Sequence, residues 1–324
     1  MNTRPIVATM IGDPAGIGPE VLAKSWATGE LHDYCRPVLV GSAEVMVQAA
    51  KFCGLTLTVN KISSVNEISD DPSVMDIFDS GKFDINGFEM GTDNASCGQA
   101  SADWLDEMDA MALAGDVDAT VMAPISSVSM KKANVLDRVI NMEPGHSYLF
   151  LISGPLRVMH LTDHLPLRDV CDLITADLVT KAIGQLNDAL ISWGISKPRI
   201  AVAGLNPHAS GKEEDEEIRP GVKAAQQLGI NVEGPVPPDS VFRQCIENKY
   251  DVVLAMFHDQ GHIAIKTWGF SGNCALIMGP PYLHMSVAHG TAYDLVGTGK
   301  ADHTMMLEAI KLTGHLAAEK GFFK

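Results

Sequence analysis

The chain alternates short, wholly apolar runs with longer amphipathic stretches, and this alternation restricts its fold more than any other feature. The apolar runs have the length and composition of strands buried on both faces: PIVATMI, RPVLVGS, DATVMAPI, RVMHLTDH, PRIAVAGLN, DVVLAMFH and CALIMG. The amphipathic stretches are typical of helices, and each ends at a glycine: SADWLDEMDAMALAG, DLVTKAIGQLNDALISWG and PGVKAAQQLG. Alternating strands and helices predict an α/β fold, with a largely parallel sheet that carries helices on both faces.

The composition narrows the class of protein. The chain has 324 residues, enough for two domains, and a net charge of −16. That charge argues against a nucleic-acid binder, which needs a basic face. No apolar run approaches the roughly 18 residues of a membrane-spanning helix, and the N-terminus lacks a signal-peptide pattern, so we expect no membrane contact and a cytoplasmic location. The six cysteines form no CxxC pair, which predicts free thiols.

Three histidines follow predicted strands in the same relative position. His164 ends RVMHLTDH, His208 comes just after PRIAVAGLN, and His258 ends DVVLAMFH. Ligands of open α/β sheets bind beyond the carboxyl ends of the strands. Three neutral imidazoles there can hold a divalent metal and leave positions open for a substrate oxygen. A single histidine is more often a packed or surface residue, but the repeated context favours a metal site.

The sequence HDQGH continues the last of these strand ends. His258 and His262 have helical spacing, but Gly261 between them argues against a helical pair of ligands. We therefore expect Gly261 to let the chain turn tightly after the strand, with Asp259 at its polar tip. The acidic run KEEDEEIRP, residues 212–220, is predicted to be a solvated loop that leads into a helix.

Two further segments have the composition of ligand-binding loops. IGDPAGIGPE places Gly12, Gly16 and Gly18 between a predicted strand and a helix that Pro19 would open. Such a loop either lets backbone N–H groups approach an anion or a cofactor, or only shapes a strand–helix turn. Its spacing is not the GxGxxG of Rossmann folds. The second segment is SVAHGTAYDLVGTGKAD, residues 286–302, and the pair is a more specific signal than either segment alone.

In their order, and nearly from end to end, the motifs of this chain resemble those of the metal-dependent 4-hydroxythreonine-4-phosphate dehydrogenases of vitamin B6 (pyridoxine) synthesis. The motifs that carry the resemblance are GDPAGIGPE, PGHS, HLPLRD, GLNPHA, PPDSVF, HDQGH and AHGTAYDLVGTGKAD. The first and last also resemble loops of isocitrate and isopropylmalate dehydrogenases, which implies their two-domain α/β/α fold with an active site in the interdomain cleft. We expect a cofactor-side domain from residues 1–125 plus 272–324. Residues 126–271 would form the domain for metal, substrate and dimerisation.

The resemblance implies roles for individual residues in catalysis. The metal ligands would be His164, His208 and His258, and the ion would be zinc, magnesium, manganese or cobalt. Lys266 would neutralise an anionic substrate or carry a proton, although by itself it reads equally as a surface lysine. Asp259 would orient a ligand imidazole from behind, or cap the turn.

The same resemblance implies the binding sites for substrate, cofactor and partner. His146 and Ser147 of PGHS, with Lys266, would bind the substrate. The family works as a homodimer with its active site at the subunit interface, so a second copy of the chain is the expected partner. NAD, or NADP, would be bound by residues of both loop segments: Gly12, Asp13, Gly16, Ile17, Gly18, His289, Gly290, Thr291 and Asp294.

The chain departs from the pattern of the family's phosphate-using members at three positions. Ala275 replaces an asparagine, His284 replaces an arginine, and Tyr148 replaces the glutamate that continues the PGH motif. The loop after NPHA is also shorter than in the family. An arginine grips phosphate with a planar fork that histidine does not reproduce. In these positions the chain is closer to relatives that oxidise the cis-dihydrodiol of terephthalate with loss of CO₂.

The sequence therefore predicts a dehydrogenase that uses a metal and NAD to oxidise a secondary alcohol of a small anionic substrate, with decarboxylation. A cis-dihydrodiol carboxylate is the alternative substrate. A metal-dependent hydrolase or aldolase would need the histidines but not the HGTAYDLVGTGKAD loop. A binding protein without catalysis would need neither the three histidines nor Lys266.

Overall fold

The computed structural model describes residues 4–139, 142–269 and 273–323, which divide into two compact units. Unit 1 comprises Met1–Ile140 and Pro281–Ala318, and unit 2 comprises Asn141–Pro280 and Glu319–Lys324. The chain therefore passes between the units at 140/141 and 280/281, further along than the boundaries predicted at 125/126 and 271/272. The last residues of the chain group with unit 2.

The strands, in chain order, are β1 (Ile6–Met10), β2 (Arg36–Val40), β3 (Thr58–Ile62), β4 (Val74–Phe78), β5 (Ala119–Met122), β6 (Tyr148–Ser153), β7 (Leu156–His160), β8 (Ile200–Ala203), β9 (Val232–Val236), β10 (Val252–Ala255), β11 (Cys274–Met278) and β12 (Leu283–Val287). The α-helices are α1 (Gly18–Ala27), α2 (Leu31–Tyr34), α3 (Ala43–Phe52), α4 (Ala95–Ala114), α5 (Ser127–Ala133), α6 (Leu167–Leu173), α7 (Ala176–Ser192), α8 (Arg219–Gln227), α9 (Pro238–Ile246), α10 (His258–Trp268) and α11 (Thr304–Ala317). Short 3₁₀ turns occur at Val65–Glu67, Leu136–Arg138 and Pro207–Ala209, and a π-helical turn at Glu214–Ile218.

Unit 1 is built on a parallel sheet in the order β3-β4-β2-β1-β5-β12. Its central strands are buried almost throughout, as their continuous apolar runs predicted. Helices α4 and α11 both pack against β1 and β5. This is the arrangement that strand–helix alternation predicts.

Unit 2 carries strands in the order β11-β6-β7-β10-β8-β9. From β7 to β9 the neighbours are parallel, but β6 pairs antiparallel with both β11 and β7. The β6–β7 hairpin turns at Gly154, whose φ of 55° is the left-handed conformation that tight hairpin turns require. The predicted parallel arrangement thus holds for β7, β10, β8 and β9. The hairpin reverses the direction of β6, which is why its two pairings are antiparallel.

The core of unit 2 positions the helix that carries the HDQGH motif. Helix α10 packs against β6, β7 and β10. The buried residues that form this core are Leu151, Leu156, Val158, Ala201, Ala203, Val241, Cys245, Tyr250, Val253, Ala255 and Ile265.

Two compositional expectations can be compared with the structure. All six cysteines are free thiols, as predicted. Of the helices described, none combines the length and apolar composition needed to span a bilayer.

Candidate functional site

Two neighbouring strand ends bring a pair of predicted metal ligands together. Strands β7 and β10 are parallel, and Ala255 lies opposite His160, so both strands end at the same edge. The chain continues from His160 to His164 and from Ala255 to His258. As a result, the ring centroids of His164 and His258 lie 4.6 Å apart. The strand-end argument thus correctly placed these two imidazoles side by side.

A third group in this cluster, Asp163, was missed in the sequence. Among the residues described, the set of potential metal-binding groups comprises Asp163, His164 and His258, whose candidate ligand atoms all lie within 4.8 Å of one another. Asp163 is 9 % exposed, and its Oδ1 has no hydrogen-bond partner within the described chain. The sequence signal was only an aspartate next to a candidate ligand, which is common in surface loops.

The hydrogen bonds of the two histidines fix which ring nitrogen is free. His164 Nδ1 lies 2.9 Å from Asp163 Oδ2, and His258 Nδ1 lies 2.8 Å from Asp259 Oδ1. Because a carboxylate only accepts, both Nδ1 atoms carry a proton, and in the neutral imidazole this leaves the lone pair on Nε2. An imidazole held in this way is prepared for metal binding through Nε2.

Two more histidines extend the cluster into the protein. His262 stacks on His258 with a centroid separation of 3.6 Å, and His160 lies 4.8 Å from His262. Burial lowers the pKa of His160 to about 3, against the effect of its hydrogen bond to the Leu149 carbonyl oxygen. Burial, and then the neighbouring His258, lowers the pKa of His262 to about 4. Both rings are therefore neutral at neutral pH.

The HDQGH segment differs from its predicted form. Helix α10 begins at His258, so Gly261 is a helical residue and not a tight turn. A side chain at Gly261 would collide with His160 Nε2 and would lie 2.7 Å from Val158 Cγ1. The glycine is required there because the helix approaches β7 so closely.

His208 lies outside the group formed by Asp163, His164 and His258. It is exposed, and both it and Ala209 have a positive φ, of 58° and 51°. Two successive non-glycine residues in this conformation are strained, and such strain is concentrated at functional sites.

Glu214 holds the backbone just before this strained pair. Its Oε1 accepts hydrogen bonds from the N–H groups of Leu205 and Asn206, both at 2.7 Å, and its Oε2 accepts from Asn206 Nδ2 at 2.8 Å. Burial raises its pKa, but these hydrogen bonds outweigh burial and leave the pKa lowered. The prediction that residues 212–220 form a solvated loop was therefore wrong, because the segment is helical and its Glu214 is fully buried.

The predicted substrate-binding residues also lie in unit 2. Lys266 and His146 are exposed, whereas Ser147 is buried. Ser147 Oγ accepts a hydrogen bond from the Glu143 N–H at 2.8 Å, which shapes the PGHS turn. Lys266 is in the last turn of α10, two helical turns after His258.

In unit 1, the first glycine loop is packed inside the protein. Every residue from Ile11 to Glu20 is buried, including Asp13 and Ile17. A side chain at Gly12 would collide with the Pro124 carbonyl oxygen, and one at Gly16 would lie 3.0 Å from Thr291 Cβ. These glycines are therefore explained by the close packing of the backbone.

The two predicted cofactor segments are joined directly. The Ile17 N–H donates to the Thr291 carbonyl oxygen at 3.0 Å. Glu20 Oε1 accepts from the Gly297 N–H at 2.6 Å, and Glu20 Oε2 accepts from the Gly299 N–H at 3.1 Å. Glu20 was not singled out in the sequence, although it belongs to the GDPAGIGPE motif.

The accessible part of this assembly is the HGTAYD segment. Gly290 and Asp294 are exposed, and His289 and Thr291 are partly exposed. His289 Nδ1 lies 3.0 Å from the Gly290 carbonyl oxygen, and its buried Nε2 has no protein partner among the residues described.

A partly buried hydrogen-bond network connects these segments to Asp93. The Tyr293 hydroxyl is 2.9 Å from Asp13 Oδ2 and 3.1 Å from Asp93 Oδ1. Ser126 and Ser129 also donate to Asp93 Oδ1. Asp93 and Tyr293 were not identified from the sequence, because they come from segments far from Asp13 in the chain.

The positions that depart from the phosphate-binding pattern offer no cation. His284 is buried, and its Nδ1 lies 2.7 Å from Thr120 Oγ1. Burial lowers the pKa of His284 to about 4, so the ring is neutral. Ala275 has only a methyl group. Tyr148 is buried, with its hydroxyl donating to Gln185 Oε1 at 3.0 Å.

The residues of unit 2 fit a divalent metal. His164 and His258 offer imidazole nitrogens of the kind that zinc and related ions bind, with the Asp163 carboxylate beside them. The fold and these residues together define a two-unit α/β enzyme with a histidine-rich centre.

Comparison with known proteins identifies the family. The model of a family described as "Pyridoxal phosphate biosynthetic protein PdxA" matches residues 33–313, and the chain belongs to this family. A Novosphingobium aromaticivorans protein that carries the provisional name 4-hydroxythreonine-4-phosphate dehydrogenase is 59 % identical over 321 residues, covering 99 % of this chain and 97 % of its own.

Two solved structures extend the comparison. The 4-hydroxythreonine-4-phosphate dehydrogenase from Klebsiella pneumoniae has a TM-score of 0.85 and 35 % identity, covering 97 % of this chain and 99 % of its own. A terephthalate 1,2-cis-dihydrodiol dehydrogenase from Burkholderia xenovorans LB400 has a TM-score of 0.70 and 30 % identity, covering 96 % and 98 %. The chain is therefore an oxidoreductase that acts on CH–OH groups, and its predicted α/β fold class is confirmed.

Proposed function

We propose that this protein is a dehydrogenase that depends on a nicotinamide cofactor and a divalent metal, and that it oxidises a secondary alcohol of a small anionic substrate. The observation that carries the proposal is the cluster of Asp163, His164 and His258 in a chain of this family. Both imidazoles have Nδ1 committed to a carboxylate and Nε2 free.

His164, His258 and His208 would hold the metal in unit 2. A divalent ion bound there would act as a Lewis acid toward the oxygen of the substrate alcohol. The strain at His208, and the buried Glu214 that maintains the loop before it, support a functional position for this third imidazole. Asp259 would orient His258.

Lys266, His146 and Ser147 would bind the substrate. The exposed ammonium of Lys266 would neutralise a carboxylate or a phosphate, and it would return a proton to carbon after loss of CO₂. In that step the carbon–carbon electron pair stays on the substrate as an enolate, and a proton converts the enolate to the product ketone. A carboxylate beta to the new ketone is required for this step.

Unit 1 would bind NAD or NADP through the HGTAYD segment, from His289 to Asp294. The nicotinamide would accept the hydride from the alcohol carbon. The buried loop from Gly12 to Gly18 would support this segment from behind, since Ile17 and Gly16 contact Thr291 directly. We further propose that the protein acts in the cytoplasm as a homodimer, with the active site at the subunit interface.

A carboxylated cis-dihydrodiol is the second candidate substrate. It is favoured by Ala275 and by the neutral, buried His284, because neither residue can bind a phosphate as arginine and asparagine do. The similarity to terephthalate dihydrodiol dehydrogenase supports the same candidate. The 59 % identical relative, in contrast, is named for a phosphorylated substrate.

The proposal is tested by following reduction of NAD by the metal-loaded protein. We would offer 4-hydroxythreonine-4-phosphate and a carboxylated cis-dihydrodiol in parallel, each with and without a chelator. We expect turnover of at least one substrate, and a loss of about 100-fold or more on removal of the metal. Turnover that is unaffected by the chelator would exclude the metal's role, and reduction of neither NAD nor NADP with either compound would count against the proposed substrate class.

A further inference from the structure

The contacts of Asp163 are unusual for a buried carboxylate. Asp163 is 9 % exposed, yet its Oδ1 has no hydrogen-bond partner among the described residues. Its Oδ2 accepts one hydrogen bond, from His164 Nδ1 at 2.9 Å. Since a buried charge needs a partner, the interaction with His164 is the principal compensation that the described chain offers.

The imidazole of His164 depends on this contact in turn. Its side chain is 78 % exposed, so little packing restricts the ring. An exposed imidazole without a partner would sample several rotamers and both neutral tautomers. Among the residues described, the Asp163 carboxylate and the ring of His258, at 4.6 Å, restrain it.

We infer that Asp163 is a positioning residue that holds His164 with its Nε2 lone pair available to the metal. This inference rests on the metal site proposed above. The carboxylate fixes the proton on Nδ1, increases the basicity of the ring and removes the entropic cost of ordering it on binding.

The second carboxylate–histidine pair provides an internal comparison. His258 is 24 % exposed and is held by α10 and by stacking on His262, whereas its partner Asp259 is 74 % exposed. Water screens the Asp259 charge, and the helix already positions the ring. Loss of Asp163 should therefore weaken metal binding more than loss of Asp259.

The test is calorimetric titration of Zn²⁺ or Co²⁺ into the full-length apoprotein. We expect Asp163→Ala to weaken metal binding by about 10–100-fold. Asp163→Asn should recover part of this loss, because its amide oxygen can still accept from Nδ1. Asp259→Ala should lose less than Asp163→Ala. Asp172→Asn, which removes an exposed charge from α6, serves as the charge-matched control and should bind like wild type.

Chelator-treated samples of every variant would be unfolded thermally to separate folding from metal affinity. If Asp163→Ala does not fold, Asp163→Asn is compared with Asp259→Asn, and the asparagine at 163 must cause the larger loss. Wild-type affinity in Asp163→Ala, or equal losses at the two aspartates, would overturn the inference. Absence of binding by the wild-type protein would instead overturn the proposed metal site, and the inference with it.

Discussion

The hydroxyl of Tyr293 lies within hydrogen-bond distance of two carboxylates, Asp13 and Asp93. A phenol has one proton, so it cannot donate to both. Burial raises the pKa of Asp13, although hydrogen bonds from Ala15 and Tyr293 oppose it. Hydrogen bonds, first that from Ser126, lower the pKa of Asp93. The two carboxylates therefore differ: burial favours the neutral form of Asp13, whereas hydrogen bonds favour the ionised form of Asp93.

This difference predicts that an asparagine substitution will lower the free energy of unfolding at Asp93 but not at Asp13. Asp13→Asn removes a charge that burial disfavours, and its amide oxygen can still accept from the Ala15 N–H. Its free energy of unfolding at neutral pH should remain close to that of wild type. Asp93→Asn removes a charged acceptor from Tyr293 and Ser126, and it should lose about 1–3 kcal/mol. Urea unfolding compares the two variants, and the reverse order of stability would contradict the difference inferred between the two carboxylates.

The same network predicts a dependence on pH. Because the pKa of Asp13 is higher in the folded protein, the folded state holds a proton that the unfolded state releases as the pH rises from about 4. This contribution to stability is present at low pH and is lost as the pH rises through the raised pKa. Asp13→Asn should remove that slope from unfolding free energies measured across the acid range. An unchanged slope would assign it to other groups.

For single residues, the sequence could predict a contact where the two residues follow neighbouring parallel strands. His164 and His258 follow parallel strands, so their proximity could be inferred from the direction of the strands alone. Asp13 could not be understood in the same way, because Tyr293 is 280 residues away along the chain. A motif suggested cofactor contact for Asp13, whereas its observed contacts are with protein groups.

At the scale of elements, Gly261 determines how closely α10 approaches β7. A methyl group there would collide with His160 and Val158, both fully buried, which cannot move aside. Gly261→Ala should therefore lose about 1–3 kcal/mol of unfolding free energy despite the better helix propensity of alanine. It should also weaken metal binding, because it displaces His258 and its neighbours.

A matched control is available in α7. Gly184 is also helical, and a side chain there meets nothing within 4 Å. Gly184→Ala should stabilise the protein by about 0.5–1 kcal/mol and leave metal affinity unchanged. Similar effects of the two alanines would show that α10 can shift without cost.

The acidic segment after NPHA supplies a second prediction about an element. Glu214→Gln replaces a carboxylate, which accepts from Leu205 and Asn206 through both oxygens, with an amide that has one neutral oxygen. We therefore expect the free energy of unfolding to fall by about 1–3 kcal/mol. Glu216→Gln, at an exposed position, should change stability by less than about 0.5 kcal/mol. Chemical unfolding measures both, and equal small effects would contradict the role assigned to Glu214.

The pH dependence of this element is opposite to that of Asp13. The pKa of Glu214 is lowered in the folded protein, so its contribution is present at neutral pH and is lost as the pH falls through that lowered value. The sequence could not distinguish Glu214 from its acidic neighbours. An acidic run is usually solvated. Glu214 is buried only because the segment that carries it packs against the loop before His208, a contact that the sequence does not show.

Across the whole molecule, the strands that the sequence predicted have largely apolar runs, although the equally apolar β6 (YLFLIS) was missed. The strands it missed include the two edge strands, β3 (TVNKI) and β9 (VEGPV), which are largely exposed or half-buried. An edge strand packs on fewer neighbours, so it does not need a wholly apolar sequence. Polar residues within β4 and β12, such as the buried Asp76 and His284, hid two more strands.

The proposed division of labour between the units leads to a prediction for hydrogen exchange. Metal held in unit 2 should slow amide exchange in segments 161–164, 205–214 and 256–262. NAD should slow exchange in segments 11–18 and 289–297 of unit 1. At a metal concentration about 100 times Kd, binding stabilises the folded state by about 2.7 kcal/mol. Amide exchange that requires release of the ion should then be roughly 100-fold slower.

Exchange measured by mass spectrometry, with each ligand added alone, would resolve these segments. His164→Ala provides the control, because it should remove the effect of the metal and leave the effect of NAD on unit 1. Protection of 289–297 by metal alone, or of 161–164 by NAD alone, would contradict the assignment of one ligand to each unit. Protection in the expected segments would tie each ligand to the group of residues proposed to bind it, independently of which alcohol the enzyme oxidises.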